Sequence, residues 1–258
     1  MPDSELQAIY VMWLREMKRF VRSKSRMVGS IVQPLFFLVI LGAGLRGVSM
    51  PGMTGDDYIL FIAPGIVAMA ILFSSMFTGI SVLWDRQFGF LQEVLVAPIR
   101  RFSIIIGRTL GGATTALIQG FIVLTIALVL GVKITSIPGL MLAIVFMFLI
   151  ALTAVGFGLV LASKIEDFQG FQLIMNLIIT PLFFLSSTFF PIATNEQLPR
   201  AIVNISFVNP LFYMVDGMRG SLTGVDNYFH PLVDLGVVFL ICIIMLGLGS
   251  YFFKKYEV

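Results

Sequence analysis

The sequence predicts an all-α polytopic membrane protein with six transmembrane helices. Of its 258 residues, 58% are hydrophobic and only 12% are charged, whereas a soluble domain usually carries about 25% charged residues. The apolar residues form six blocks, each near or above the roughly 20 residues that a helix needs to cross a bilayer. Residues 1–258 are therefore expected to form a single transmembrane domain.

Residues 1–27 precede the first apolar block and are predicted to hold an interfacial helix. Over residues 3–24, large apolar side chains such as Trp13 and Phe20 recur at helical spacing, and basic side chains such as Arg15 take the other face. Such a helix lies in the plane of the membrane surface. A surface helix of a soluble region is the alternative. The polar stretch is too long to begin a cleaved signal peptide.

Six apolar segments are predicted to span the membrane. Pro34, Pro64 and Pro181 fall inside them, and kinks there are tolerable where neighbouring helices satisfy the freed carbonyl groups. The six predicted spans are 28–46, 58–83, 103–131, 138–162, 170–191 and 232–253. The chain is thus divided into residues 28–83 with spans one and two, 103–191 with spans three to five, and 232–258 with span six and the tail. The segments 84–102 and 192–231 connect them.

The segment 84–102 is too polar to span a membrane and is patterned as a short amphipathic helix. Phe88, Leu91 and Leu95 fall at positions i, i+3 and i+7, which places them on one face. Asp85 is a suitable N-cap, and Pro98 disfavours helix at the residue before it. An aromatic helix of this kind at the membrane face suits docking to a second protein.

The distribution of Lys and Arg predicts the orientation. With six spans, thirteen of these residues lie on the side of the termini and four on the other side, namely Arg46, Lys133, Arg200 and Arg219. The excess of positive charge marks the cytoplasmic side. Both termini, the tail after span six and the segment 84–102 are therefore expected to be cytoplasmic, in a multi-pass protein of the cell (inner or plasma) membrane.

The segment 192–231 is the longest predicted outer connection. Residues 199–207 and 211–222 are expected to form short helices, separated by Asn209-Pro210. They hold too few apolar residues to cross a bilayer, so helices that cap or re-enter the outer leaflet fit best.

No set of catalytic residues is recognisable in the sequence. His230 is the only histidine and Cys242 the only cysteine, so there is no internal disulfide, and packing is the expected role of the thiol. The sequence has no G-K-[ST] phosphate loop and no metal-binding motif. The chain itself is therefore expected not to be an enzyme and to hold neither metal nor cofactor. The small net charge of +3 gives no reason to expect nucleic acid as a partner.

Two predicted spans carry polar stripes. Because polar groups are costly in lipid, these faces should point into protein or a water-filled path. One interpretation is a translocation route between copies of spans two and five; the other is hydrogen bonding that holds the helices together. The stripes are Ser74, Thr78, Ser81 and Asp85 in span two, and Gln169, Gln172, Asn176, Thr180 and Ser187 in span five. The candidates for the substrate path are Phe73, Ser74, Phe77, Thr78, Gln172, Asn176, Thr180 and Phe184.

Three isolated features are given structural roles. Gln119 in span three is interpreted as an interhelical hydrogen-bonding residue, and Gly107-x-x-x-Gly111 as a close-packing motif. Asp234 lies in the first turn of span six, where a carboxylate is electrostatically favourable.

The segment Asp85–Pro98 (DRQFGFLQEVLVAP) resembles the signature of type 2 ABC exporter permeases, the family of drug-resistance, Nod-factor and polysaccharide export permeases. Pro181–Pro191 (PLFFLSSTFFP) is similar to the span-five pattern of that family, and Asn209–Arg219 (NPLFYMVDGMR) to its outer-segment pattern. The chain departs from the pattern at Ser187, where the family often has glycine. The likeness covers essentially the whole chain.

The resemblance implies a half-transporter in which two copies of the chain pair and two separate ABC ATPase subunits supply ATP and Mg. The segment 84–102 would be the coupling helix, set in a groove on the ATPase. Glu93 would make a charged contact there, and Phe88, Phe90 and Leu91 would fill the groove. The residues carried over for this coupling are Asp85, Arg86, Phe88, Phe90, Leu91, Glu93 and Pro98, with Glu166 and Asp167 as a second contact; the outer-segment motif comprises Asn209, Pro210, Tyr213, Asp216 and Arg219.

The expected function is that of the membrane-spanning subunit of an ATP-driven exporter, with membrane lipids around it. The path candidates favour an amphipathic, drug-like or lipid-linked cargo, and a polysaccharide or lipo-oligosaccharide is the alternative cargo. A channel or secondary transporter working alone, and a membrane scaffold for another complex, are the alternative functions.

Overall fold

The computed structural model describes residues 2–45, 58–88, 100–165 and 167–255, and within these ranges every regular element is an α-helix. The all-α prediction is confirmed for this part of the chain. The helices in chain order are α1 (Pro2–Arg22), α2 (Lys24–Gly44), α3 (Tyr58–Gln87), α4 (Arg101–Val129), α5 (Ile137–Lys164), α6 (Phe168–Phe184), α7 (Arg200–Val208), α8 (Pro210–Leu222) and α9 (Pro231–Lys255).

Four helices, namely α3, α4, α5 and α9, are long and apolar enough to cross a membrane, and the number rises to six if two bent helix pairs each count as one span. One bent pair is α1 with α2, whose axes meet at 69°, and the other is α7 with α8, at 85°. Spans two, three, four and six are thus confirmed as long apolar helices. The predicted total of six spans stays a prediction, because α2 counts as a span only together with α1, and α6 is a shorter apolar helix.

The fifth apolar helix is shorter than predicted. The predicted span 170–191 is wrong at its C-terminal end, because α6 stops at Phe184. Ser186 Oγ donates to the carbonyl of Phe183 over 2.7 Å, and Ser187 has a φ of 59°. Polar side chains that bind nearby backbone groups compete with the helix. A left-handed residue then turns the chain.

Helix α3 lies at the centre of the fold. In its most apolar window, 89% of the residues are buried inside the chain, against 22% for α9. Glycines bring α3 and its neighbours into close contact: a Cβ on Gly79 would lie 2.7 Å from the carbonyl oxygen of Gly158 in α5. Small residues at such crossings let helix backbones approach one another within a membrane. Consequently α3 is surrounded by other helices along most of its length.

The structure corrects the predicted start of the helix at 84–102. Residues up to Gln87 continue α3 without a break, so the prediction of Asp85 as an N-cap is wrong. Its carboxylate is engaged by arginines from other helices instead. Residues 89–99, which include most of the predicted amphipathic segment, lie outside the described residues, and α4 begins at Arg101.

The N-terminal and outer helices follow the prediction closely. Helix α1 covers Pro2–Arg22, where residues 3–24 were expected to be helical. Helices α7 and α8 are separated at Asn209, whose side chain accepts a hydrogen bond from the backbone N–H of Leu211. Proline at the first position of α8 fits the N-terminus of a helix, where its missing N–H costs nothing.

Candidate functional site

A buried charge cluster lies where α1 crosses the end of α3 and the start of α4. At its centre, Asp85 accepts hydrogen bonds from three arginines of two other helices. Arg15 binds both carboxylate oxygens, Arg19 Nη2 lies 2.8 Å from Oδ1, and Arg108 Nη2 lies 2.6 Å from Oδ2. Charge-assisted hydrogen bonds of this kind are short and strong. We call Asp85, Arg15, Arg19, Arg108 and Glu16 the Asp85 cluster.

The members of the cluster differ in their access to solvent. Arg108 is fully buried at 0% exposure and Asp85 is 3% exposed, whereas the side chains of Arg15 and Arg19 keep 22% and 29%. Glu16, which is also buried, adds a second carboxylate 3.8 Å from Arg19 Nη1. Three cations therefore face two anions. The buried cation, Arg108, depends on Asp85 because its Nε and Nη1 find no hydrogen-bond partner among the described residues.

The Gly107-x-x-x-Gly111 motif seats α1 on α4. A Cβ on Gly107 would lie 2.6 Å from Met12 Cβ, and one on Gly111 would lie 2.7 Å from Glu16 Cβ. These distances are shorter than real Cβ contacts, so only glycine permits this approach of the two helices. The predicted close-packing role is confirmed, and the partner is the N-terminal helix rather than another membrane span.

We call this close contact of Gly107 and Gly111 with α1 the glycine seam, and two polar residues of α1 extend it. Near its start, Glu5 accepts hydrogen bonds from the backbone N–H of Arg100 and from the hydroxyl of Ser103. In its middle, Trp13 Nε1 donates to Thr114 Oγ1 over 3.1 Å. Helix α1 is thus fixed to α4 by its whole length, and to α3 through Asp85. Because α3 and α4 flank residues 89–99, α1 ties together the two helices from which that segment extends.

Exposed aromatic side chains lie beside the cluster, at the end of α3. Trp84 is 52% exposed and Phe88 is 74% exposed. Trp84 contacts Phe168 at the start of α6, with ring centroids 5.5 Å apart, and Phe88 at 5.9 Å. Large apolar groups grouped at the polar end of a membrane helix mark a surface that favours a protein partner or the membrane interface. We call Trp84, Phe88 and Phe168 the aromatic patch.

The remaining residues predicted to take part in coupling divide into two groups. Phe90, Leu91, Glu93, Pro98 and Glu166 lie outside the described residues. Arg86 is exposed next to the aromatic patch. Asp167 is exposed and caps α6, because its carboxylate accepts from the N–H of Gly170. The roles predicted for these residues stay predictions.

The candidates for a substrate path fall on two different surfaces. Ser74 and Thr78 are buried within the chain. Thr78 packs closely against α4, because a Cβ on Gly112 would lie 2.3 Å from the hydroxyl oxygen of Thr78. Gln172, Asn176, Thr180 and Phe184 of α6 are exposed. Phe73 and Phe77 are half-buried. The exposed face of α6 is therefore available to a path or a second copy, whereas the polar stripe of α3 packs inside one chain.

The outer-segment motif forms the second polar cluster, at the opposite end of α3. Arg219 is 1% exposed. Its Nε donates to the carbonyl of Phe61 over 3.0 Å, its Nη2 donates to the carbonyl of Ser187, and its guanidinium carbon lies 3.7 Å from the centre of the Phe61 ring. These contacts fix α8 to α3 and to the turn after α6.

The other motif residues complete the same junction. Asn209 Nδ2 donates to the carbonyl of Leu182 over 2.6 Å, and the Tyr213 hydroxyl donates to the carbonyl of Phe207 over 2.9 Å. Asp216 accepts from the backbone N–H groups of Tyr228 and Phe229. All five motif residues thus belong to one connected region, including Pro210 at the first turn of α8. Their contacts are structural and join α3, α6, α8 and the loop before α9.

Three single-residue predictions have mixed outcomes. Gln119 is buried, but its Oε1 has no hydrogen-bond partner among the described residues; a cavity of about 10 Å³ beside it is near the size of one water. Cys242 is a free, buried thiol in the described structure. Asp234 is fully buried in the first turn of α9, and its predicted structural role stays a prediction.

The arginine partners of Asp85 were not predicted from the sequence. Arg15 and Arg19 belong to the basic face of the N-terminal helix, and Arg108 is one of the thirteen Lys and Arg residues expected on the cytoplasmic side. One signal was available. Arg108 lies inside the predicted span 103–131 and between Gly107 and Gly111, and an ionisable residue inside a span needs a partner. The identity of that partner depends on the fold, because Asp85 and Arg15 are 70 residues apart in sequence.

Comparison with known proteins shows the family of the chain. A family model described as ABC-2 type transporter matches residues 7–223. The chain is 28% identical over 243 residues to the inner membrane transport permease YadH of Escherichia coli K12, covering 92% of this chain and 90% of that protein. It is 29% identical over 211 residues to nodulation protein J of Rhizobium leguminosarum bv. trifolii, covering 81% and 76%. From its matched residues and its long apolar helices, the chain belongs to the ABC-2 type transporter family and is a multi-pass transport permease.

Proposed function

We propose that this chain is the membrane-spanning subunit of an ATP-driven exporter and that a separate ABC ATPase subunit docks on the end of α3. The aromatic patch is the observation that carries the proposal. Phe88 exposes 74% of its surface at the last described residue before the segment 89–99. Burying a phenylalanine side chain contributes about 1.5–3 kcal/mol, which makes this position a strong anchor for a protein partner.

The Asp85 cluster and the glycine seam supply the mechanical link. A force applied to residues 89–99 acts on both α3 and α4. Helix α1 holds those two helices together through Asp85 and through Gly107 and Gly111, so they would move as one body. Since α3 lies at the centre of the fold and reaches Arg219 at its far end, a displacement at the docking site would reach the opposite side of the membrane.

The assembly proposed here contains two copies of this chain and two ATPase subunits. ATP and Mg would bind to the ATPase subunits, and the present chain would perform no phosphoryl chemistry. Both termini and the docking site would be cytoplasmic, in accord with the excess of Lys and Arg on that side. The exposed amide and hydroxyl groups of α6, together with Phe184, suit an amphipathic, drug-like or lipid-linked cargo that leaves the cytoplasm or the inner leaflet.

Co-purification from native membranes in mild detergent tests the ATPase partnership. We expect a subunit with a G-x-x-x-x-G-K-[ST] loop to accompany the wild-type chain in equal amount. The variant Phe88→Asp should lower the amount of that subunit about tenfold or more, because it replaces buried apolar contact with a charge.

The matched control is Val208→Asp, which changes a residue that is 83% exposed at the end of α7, away from the aromatic patch. It should retain the ATPase at the wild-type level. Retention of the ATPase by Phe88→Asp would contradict the docking site. If the wild-type chain purifies alone, even with ATP trapped without hydrolysis, a channel or secondary transporter becomes the better explanation.

A further inference from the structure

A cavity that is open to the outside lies at the bend between α1 and α2, and basic residues line it. Its volume is about 880 Å³, and five of its lining residues are cationic: Arg15, Lys18, Arg19, Arg22 and Lys24. None of its lining residues is acidic. We call this space the elbow cavity. It lies where the amphipathic helix meets the first apolar helix at 69°.

Three of the five cations are not neutralised by the described protein. Arg15 and Arg19 bind Asp85, whereas Lys18, Arg22 and Lys24 make no ion pair with a described residue. All three are exposed. Like charges held together on a helix bend repel one another, so an anion in the cavity would remove an unfavourable interaction as well as add a favourable one. The hydroxyls of Ser23 and Ser25 also line the cavity and can donate hydrogen bonds.

A second cavity continues from the first toward the apolar helices. Its volume is about 540 Å³, and it shares Arg19, Ser23 and Ser25 with the elbow cavity. The rest of its lining is mostly apolar and comes from Gly29, Phe77, Ile80 and Trp84, with the hydroxyl groups of Ser30 and Ser81 between them. We call this space the apolar slot. A cationic cavity that continues into an apolar slot is complementary to a molecule with an anionic head and a hydrocarbon chain.

We propose that the elbow cavity and the apolar slot together bind one anionic phospholipid. Its phosphate group lies among Lys18, Arg22 and Lys24, and an acyl chain lies between α2 and α3 in the slot. A lipid fits better than a soluble phosphate ester for two reasons. The slot gives a hydrocarbon chain a place that a soluble ester would leave empty, and α1 has the pattern of a helix at the depth of lipid headgroups. Basic residues near an anionic membrane surface each contribute about 1 kcal/mol.

The site shares a residue with the Asp85 cluster. Arg19 lines both cavities and binds Asp85. A bound phosphate group would therefore lie close to Arg19. It would either share this guanidinium with the Asp85 carboxylate or compete with that carboxylate for it. Occupancy of the elbow cavity is thus linked to the contact between these helices.

The headgroup contact is tested by lipid binding to the purified full chain in detergent. Native mass spectrometry measures the lipid retained after addition of palmitoyl-oleoyl phosphatidylglycerol or of palmitoyl-oleoyl phosphatidylcholine. We expect the wild-type chain to prefer phosphatidylglycerol. The double variant Lys18→Gln/Arg22→Gln should weaken phosphatidylglycerol binding about thirtyfold, since two basic residues are removed. The control Lys133→Gln/Arg200→Gln removes two exposed cations elsewhere and should retain the preference. Equal losses in the two double variants would overturn the proposal, because binding would then follow net charge alone.

The acyl-chain contact is tested by filling the slot. A Cβ on Gly29 meets nothing within 4 Å, so Gly29→Phe can place its ring in the slot without a backbone clash. We expect this variant to lose phosphatidylglycerol while its thermal unfolding midpoint in phosphatidylcholine stays at the wild-type value. Full retention of phosphatidylglycerol by Gly29→Phe would overturn the lipid assignment. In that case, competition by glycerol 3-phosphate would identify a soluble anion as the ligand.

Discussion

Replacing Asp85 by asparagine should destabilise the junction of α1, α3 and α4 more than any other change of a single charge there. The substitution keeps the shape of the side chain but removes the anion that faces Arg15, Arg19 and Arg108. Arg15 and Arg19 retain 22% and 29% of their exposure, so water can solvate them after the change. Arg108 retains none. The cost therefore arises chiefly at one buried cation.

Removing one partner of a buried ion pair costs about 3–5 kcal/mol. Because two of the three arginines can be solvated, we expect the lower end, about 3 kcal/mol, for Asp85→Asn. In a chain of this size that corresponds to a fall of about 6–12 °C in the unfolding midpoint. The assay is thermal unfolding in detergent followed by tryptophan fluorescence. The two tryptophans of the chain, Trp13 and Trp84, lie on α1 and α3, two of the three helices that Asp85 connects.

Two further variants separate the buried pair from a general effect of charge. The double variant Asp85→Asn/Arg108→Met removes the buried cation together with its partner and should recover most of the loss, because apolar replacements of buried pairs are often neutral. Asp167→Asn removes an exposed carboxylate and keeps a good N-cap, so it should change stability by less than about 0.5 kcal/mol. The reasoning is refuted if Asp85→Asn unfolds at the wild-type temperature, or if the double variant is less stable than the single one.

Three other substitutions test the glycine seam and the outer junction. Gly107→Val should displace α1 and lower the free energy of unfolding by about 1–3 kcal/mol. The loss of the hydrogen bond from Trp13 to Thr114 should shift the tryptophan fluorescence spectrum, and an unchanged spectrum would contradict the proposed close contact of Gly107 with α1. Ser187 has a φ of 59°, so Ser187→Val should lower the unfolding midpoint while Ser187→Gly is tolerated, and equal midpoints for the two variants would argue against backbone strain there. Asn209→Ala removes a helix cap and the hydrogen bond to Leu182 and should cost about 1–2 kcal/mol, measured as the midpoint of thermal unfolding. The control Gln197→Ala, at an exposed position, should cost much less.

The departure at Ser187 shows how a sequence pattern acquires a physical explanation. The resemblance indicated that related permeases often have glycine there. The structure places this residue in the left-handed region, which costs a residue with a Cβ roughly 1–2 kcal/mol. Ser187 Oγ donates to the carbonyl of Phe190 over 2.9 Å and accepts from the N–H of Ile192. These local hydrogen bonds offset the strain, which explains why serine is accommodated.

The sequence by itself determined the class of the protein and most of its helix limits. Blocks of about 20 apolar residues need satisfied backbone groups in lipid, so they can only be helices here, and α1, α3, α4, α5 and α9 followed from this requirement and from periodicity. The break between α7 and α8 at Asn209-Pro210 followed from a local rule of the same kind. These properties depend on residues within a few positions of one another, which a sequence displays directly.

Only the tertiary structure decided which polar residues meet. Asp85 has the sequence of an N-cap, yet the structure places it inside α3, where arginines that are far away in sequence surround it. The polar stripe of α3 was compatible with a translocation path in the sequence. In the structure α1 and α4 cover this stripe, because Gly107, Gly111 and Gly112 let these helices approach closely. Likewise, the elbow cavity exists only because α1 turns into α2 at 69°. The sequence states which residues are charged and which are glycine. The residues that they contact depend on helix packing, which brings together residues that are far apart in the sequence.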